Sequence, residues 1–105
     1  MNYPKIIRKG RMDEKILTIH PLGKQGVRIS KAKYDQTRNA ILTALRQRSR
    51  MTFVEIVEAV EFQLNGHFDG SLPWYTTTVK LDLEARREIE RIEQTKPTQY
   101  QLAGA

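Results

Sequence analysis

Thr52-Phe53-Val54-Glu55-Ile56-Val57-Glu58-Ala59-Val60 opens with the pattern T-x-x-E. The Thr52 hydroxyl can accept from a free N–H of the first helical turn while Glu55 reaches back to the Thr52 N–H, a capping box that marks a helix start. The helix it opens places Phe53, Ile56, Val57, Val60 and Leu64 on its inner stripe and Glu55, Glu58 and Glu61 toward water. Asn65-Gly66 ends it, because Gly66 takes a left-handed C-terminal conformation without steric cost.

Upstream, Ser30 is placed to cap an earlier helix. Tyr34, Ile41, Leu42 and Leu45, with Thr37 and Ala44 beside them, recur at helical spacing, and Lys31, Lys33, Arg38, Arg46 and Arg48 occupy the polar face. Arg46, Arg48 and Arg50 also suit the negative end of a helix dipole. Before that helix, Ile16-Leu17-x-Ile19 and Val27-Arg28-Ile29 flank a turn-rich stretch with Pro21, Gly23 and Gly26, which predicts two short strands or extended segments. Residues 1–14 are polar, basic and aperiodic and are expected to form a flexible arm or a segment packed late on the domain.

Downstream, residues 67–70 form a connecting loop from which Phe68 is expected to plug the core. Ser71 caps a third helix, with Pro73 in its first turn. Helical phase sets Trp74, Tyr75, Thr78, Val79, Leu81, Leu83 and Ala85 on one arc, and Thr76, Thr77, Lys80, Glu84, Arg87 and Glu88 on the other. Asp82 falls inside the apolar arc, four residues before Arg86, at ion-pair spacing. Ile89–Glu93 and Gln99–Leu102 read as two strands joined by a turn at Pro97, which predicts a β-hairpin.

This order resembles the winged-helix domains, the penicillinase-repressor type among them. The residues that carry the likeness are Trp74 through Ala85, then Ile89-Glu90-Arg91 and Tyr100-x-Leu102. The resemblance covers residues 30–103 and implies an α+β winged helix: short N-terminal extended or β segments, a three-helix core and a C-terminal β-hairpin wing. The expected organisation is an arm over 1–14, segments packed on the domain over 15–29, and the winged-helix domain over 30–105. Such domains commonly end the third helix in glycine, whereas this chain has Arg86-Arg87-Glu88. Either that helix runs longer, or Arg87 takes a left-handed conformation at about 1 kcal/mol. The whole chain is also similar to a group of small bacterial proteins of undefined function, through Gly23 to Ile29, Tyr34-Asp35 and Gly70 to Tyr75.

With 105 residues, 39% of them hydrophobic and 29% charged, the chain suits one globular domain. It has no cysteine, so disulfides and thiolate metal sites are excluded, and a cytoplasmic location is expected. No apolar run reaches membrane-spanning length. The net charge is +6, unevenly spread: residues 1–50 hold 13 Lys/Arg against 3 Asp/Glu, a balance of +10, whereas residues 51–105 hold 5 against 9, a balance of −4.

Neither His20 nor His67 sits in a metal-ligand pattern, Gly23-Lys24-Gln25-Gly26 lacks phosphate-loop spacing, and no catalytic triad or carboxylate pair is suggested. The expectation is therefore a non-enzyme without metal or cofactor. Double-stranded DNA is the leading partner and a small transcriptional regulator the leading role. Ser71, Thr76, Thr77 and Lys80 are the candidate contacts on the third helix. Arg87, Arg91 and Lys96 are the candidates at the wing, and Arg28, Lys31 and Arg38 those from the basic half. The third helix, taken as Leu72 to Glu88, is electrically balanced and the helix before it is acidic. These features motivate the competing reading, a protein-interaction module or homodimer on the same scaffold.

Overall fold

A computed structural model describes residues 14–104. The arm expected over residues 1–14 therefore lies outside the described residues except for Glu14. Strand β1 (Lys15–Leu17) pairs antiparallel with β2 (Arg28–Ser30), with Ile16 opposite Ile29. Both expected extended segments thus join in one hairpin. Ser30 ends β2 and caps α1 (Lys31–Arg48), its hydroxyl accepting from the Lys33 N–H at 3.3 Å. Tyr34, Thr37, Ile41, Leu42, Ala44 and Leu45 are all buried along α1, in the expected helical phase.

A two-residue strand follows, β3 (Met51–Thr52), which the sequence reading did not anticipate. Two residues carry no alternation to recognise. The strand exists because Met51 and Thr52 pair with Tyr100 and Gln99, distant in sequence, and Met51 is completely buried there. Helix α2 (Phe53–Leu64) then starts from the expected capping box: the Thr52 N–H donates to Glu55 Oε1 at 2.9 Å and the Glu55 N–H donates to Thr52 Oγ1 at 3.2 Å. Gly66 follows its end with φ +83.

Helix α3 (Leu72–Ala85) is capped by Ser71, whose hydroxyl accepts from the Trp74 N–H at 3.2 Å. Strands β4 (Ile89–Ile92) and β5 (Gln99–Leu102) form the C-terminal antiparallel hairpin. The sheet order is β3-β5-β4, so β5 runs down the middle. The protein is thus α+β, with short N-terminal strands, three helices and a C-terminal hairpin. Ile41, Leu45, Met51, Ile56, Val60, Val79, Leu83 and Ile89 fill the centre, bringing all three helices and the sheet onto one core.

The phase of α3 differs from expectation. Its buried residues are Thr76, Val79, Lys80, Asp82 and Leu83. Thr76 and Lys80, assigned to the polar arc, are inside, while Trp74, assigned to the apolar arc, is 46% exposed. The inner stripe runs 76, 79, 80, 83, a regular helical spacing whose polar members disguise it. Lysine can line a core when its methylene stem packs and its ammonium finds a carboxylate.

The end of α3 resolves the missing glycine. Arg87 has φ 62; the Glu88 N–H donates to the Leu83 carbonyl at 2.9 Å and the Arg87 N–H to the Glu84 carbonyl at 3.1 Å. The chain makes the left-handed helix stop that usually uses glycine, with an arginine in the strained position. This turn launches β4, and the Ala103 N–H closes the hairpin on the Glu88 carbonyl at 3.0 Å.

Candidate nucleic-acid interface

Helix α3 turns Thr76, Val79, Lys80 and Leu83 inward and leaves Trp74 and Thr77 on its outer side. On one flank stands the β1–β2 hairpin. Thr18, Ile19, Gln25, Gly26 and Val27 from that hairpin line a small cavity of about 90 Å³ against Thr78 and Leu81 of α3. Gly26 is required there, since a Cβ at that position would lie 1.7 Å from the Thr18 carbonyl oxygen. On the other flank stands the β4–β5 hairpin. A groove of about 580 Å³ runs between the two hairpins at the end of α3, with His20, Pro21 and Gly23 on one wall and Arg87, Glu90 and Arg91 on the other.

A buried carboxylate fixes the first flank. Asp82 is fully buried and accepts from the Ile19 N–H at 2.8 Å, from Arg86 Nε at 2.8 Å and from the Tyr34 hydroxyl. A desolvated carboxylate is stable only when donors saturate it, and here three elements supply them. Burial, and then donation to Asp82, push the Tyr34 hydroxyl well above the ordinary tyrosine range. The hydrogen bond to Asp82 likewise holds Arg86 above the usual arginine value. The i,i+4 pair with Arg86 was legible in the sequence. The contributions of Tyr34 and Ile19 were not, because they arrive from 48 and 63 residues away.

A second buried cluster fixes the other flank. Lys80 Nζ lies 2.8 Å from Glu84 Oε2, 3.3 Å from the Tyr100 hydroxyl and 4.7 Å from the centre of the Tyr100 ring. Arg91 Nε approaches the other Glu84 oxygen at 3.5 Å. Lys80 is therefore 6% exposed and saturated, and it holds the hairpin to α3. The Lys80–Glu84 spacing, four apart on a helix, was the available sequence signal.

The ten candidate contact residues separate accordingly. Thr76 is buried and its hydroxyl has no hydrogen-bond partner, and Lys80 is sealed in the cluster above, so neither faces a ligand. Ser71 spends its oxygen on the helix cap, and Thr77, exposed, donates to the Pro73 carbonyl at 2.9 Å. Arg87 and Arg91 come together on the groove wall, while Lys96 stands exposed in the turn between β4 and β5. Arg28 is exposed on β2. Lys31 pairs with Asp35 at 2.9 Å, and Arg38 pairs with Glu88 across the junction of α1 and β4. Lys24, in the turn of the first hairpin beside Gly23, is an exposed cation that belongs with this group.

Residues 15–100, from β1 into β5, match a family model described as a family of unknown function, DUF6958. The chain belongs to the DUF6958 family. No curated protein matches it. The match takes in the first hairpin, α3, β4 and the first half of β5. No helix among the described residues is long and apolar enough to cross a membrane.

Proposed function

We propose that this DUF6958 protein is a winged-helix DNA-binding protein that docks on duplex DNA without a cofactor, with the β4–β5 hairpin as its wing. The helix order α1-β3-α2-α3 followed by a hairpin, with the sheet ordered β3-β5-β4, supports the winged-helix reading. The observation that carries the DNA reading is the placement of the exposed cations. Lys24 and Arg28 lie on one hairpin, and Arg87, Arg91 and Lys96 on the other hairpin and its launch, with the outer side of α3 between them. In this reading the hairpins grip phosphates, and Ser71, Trp74 and Thr77 enter a groove. Because α3 shows no exposed cation between Ser71 and Ala85, the affinity comes mainly from the backbone and sequence discrimination is weak.

A salt titration on mixed-sequence duplex tests the proposal. Five neutralised phosphates set an upper slope of about −4.5 in log affinity against log salt. Replacing Arg91 and Lys96 together by alanine lowers the slope by about 2. Duplex that stays unbound at low salt, or a slope indifferent to these cations, rejects it.

The interaction-module reading is favoured by a different observation: Trp74, 46% exposed, gives the outer side of α3 an uncharged, partly apolar character that suits protein as well as a groove. A stoichiometric protein partner recovered independently of DNA, and lost with Trp74→Ala, selects it.

A further inference from the structure

Helix α2 buries one stripe through Ile56 and Val60 and leaves the opposite face without a packing partner among the described residues. That face carries Val54, 64% exposed, and Phe62, 89% exposed, with Glu58 between them at i+4 spacing and Glu61 alongside. Phe62 stands between two depressions. One, of about 380 Å³, lies along the seam of α1 and α2, where Thr43, Gln47 and Ala59 line it; the other, of about 420 Å³, lies toward Asn65 and Leu72. A phenylalanine this exposed, centred between concave surfaces, is the form of an interface anchor.

Charge decides among occupants. Glu55 is already held by Arg48 at 3.2 Å and by its capping box, but Glu58 and Glu61 are exposed with no ion-pair partner among the described residues. A second copy laid two-fold on this face would set these glutamates against their own images, a like-charge juxtaposition that costs affinity. Nucleic acid is repelled by the same groups. We propose that the outer face of α2 docks a basic amphipathic helix of another protein, whose aliphatic residues cover Phe62 and Val54 while its Lys/Arg side chains meet Glu58 and Glu61. Val54 to Phe62 spans about 12 Å along the helix, so roughly two to three turns of a partner helix suffice. This face shares no residue with the cations of the proposed DNA interface.

The probe is a synthetic amphipathic Lys/Leu helical peptide, titrated onto the full chain by fluorescence anisotropy, with a Glu/Leu peptide of the same length as counter-probe. Saturable binding of the Lys/Leu peptide alone is expected. Phe62→Ser weakens it at least tenfold, Glu58→Lys with Glu61→Lys weakens it at least tenfold, and Thr77→Ala leaves it unchanged. All these positions are exposed, and a thermal melt of each variant checks the fold. Binding indifferent to Phe62→Ser, or equal binding of the Glu/Leu peptide, overturns the proposal. So does a concentration-dependent dimer that Phe62→Ser abolishes, which would make a second copy the occupant.

Discussion

The backbone N–H of Ile19 donates to Oδ1 of Asp82 at 2.8 Å, across 63 residues of chain. This bond ties the N-terminal hairpin to α3 and sets one wall of the candidate interface. The other oxygen of Asp82 takes the Tyr34 hydroxyl and Arg86 Nε, so one carboxylate joins the hairpin, α1 and the end of α3. Asp82→Ala strands three donors, of which the Tyr34 hydroxyl is buried. The expected loss is about 1–3 kcal/mol in urea unfolding at neutral pH, the cost of the buried hydroxyl left unsatisfied. A loss below about 1 kcal/mol would show that water replaces the carboxylate.

The same cluster makes stability depend on pH at the alkaline end. The folded state raises the Tyr34 value above that of the unfolded chain, so folding favours the protonated hydroxyl. This contribution is fully present below the unfolded value near 10 and is lost as pH rises from there toward the folded value. Denaturation midpoints followed from pH 8 to 11 should fall more steeply for the wild type than for Tyr34→Phe. Parallel curves would contradict the linkage.

Lys80 separates structure from recognition. Lys80→Ala leaves Glu84 buried with only Arg91 nearby, and destabilises by about 2–4 kcal/mol. The double change Lys80→Met with Glu84→Gln keeps volume and removes both charges, and should cost less than about 1.5 kcal/mol. Duplex affinity of the refolded double variant is expected to match wild type, because Lys80 does not reach the surface. A tenfold drop would return Lys80 to the interface.

Arg87 occupies a glycine position. Its φ of 62 costs about 1 kcal/mol, which Arg87→Gly recovers. Thermal unfolding should show a melting temperature raised by several degrees, roughly 4–8 °C per kcal/mol for a domain of this size. If Arg87 grips phosphate as proposed, the same variant binds duplex more weakly while being more stable.

Thr76 is fully buried and its hydroxyl finds no partner. Thr76→Val keeps the shape and removes the orphan group, so stability should rise by about 1 kcal/mol in chemical denaturation. A loss instead would reveal a bond to the hydroxyl, such as the carbonyl one turn back.

Local signals in the sequence were sufficient where chemistry is local. The Thr52–Glu55 capping box, the Ser30 and Ser71 caps, the Gly66 stop and the α1 core spacing all depend on residues within a few positions of one another. The phase of α3 was not legible, because its inner stripe mixes Thr76 and Lys80 with Val79 and Leu83. A hydropathy count reads those polar members as outward. The inner stripe of Phe53, Ile56, Val57, Val60 and Leu64 left Phe62 out without giving it a role, and the structure shows it 89% exposed.

The chain by itself therefore determined the order of the elements other than β3, the helix boundaries at caps and stops, and the split between a basic first half and an acidic second half. Tertiary structure decided which of those charges are buried and which face solvent. Pairs four residues apart on one helix take up Lys31, Lys80 and Asp82, a pair across 50 residues takes up Arg38, and Lys24, Arg28, Arg87 and Lys96 face solvent, with Arg91 exposed though near Glu84. Capping and helical spacing act over a few residues of chain, whereas burial depends on what the fold brings alongside. A strand as short as Met51–Thr52 likewise has no meaning until β5 lies beside it.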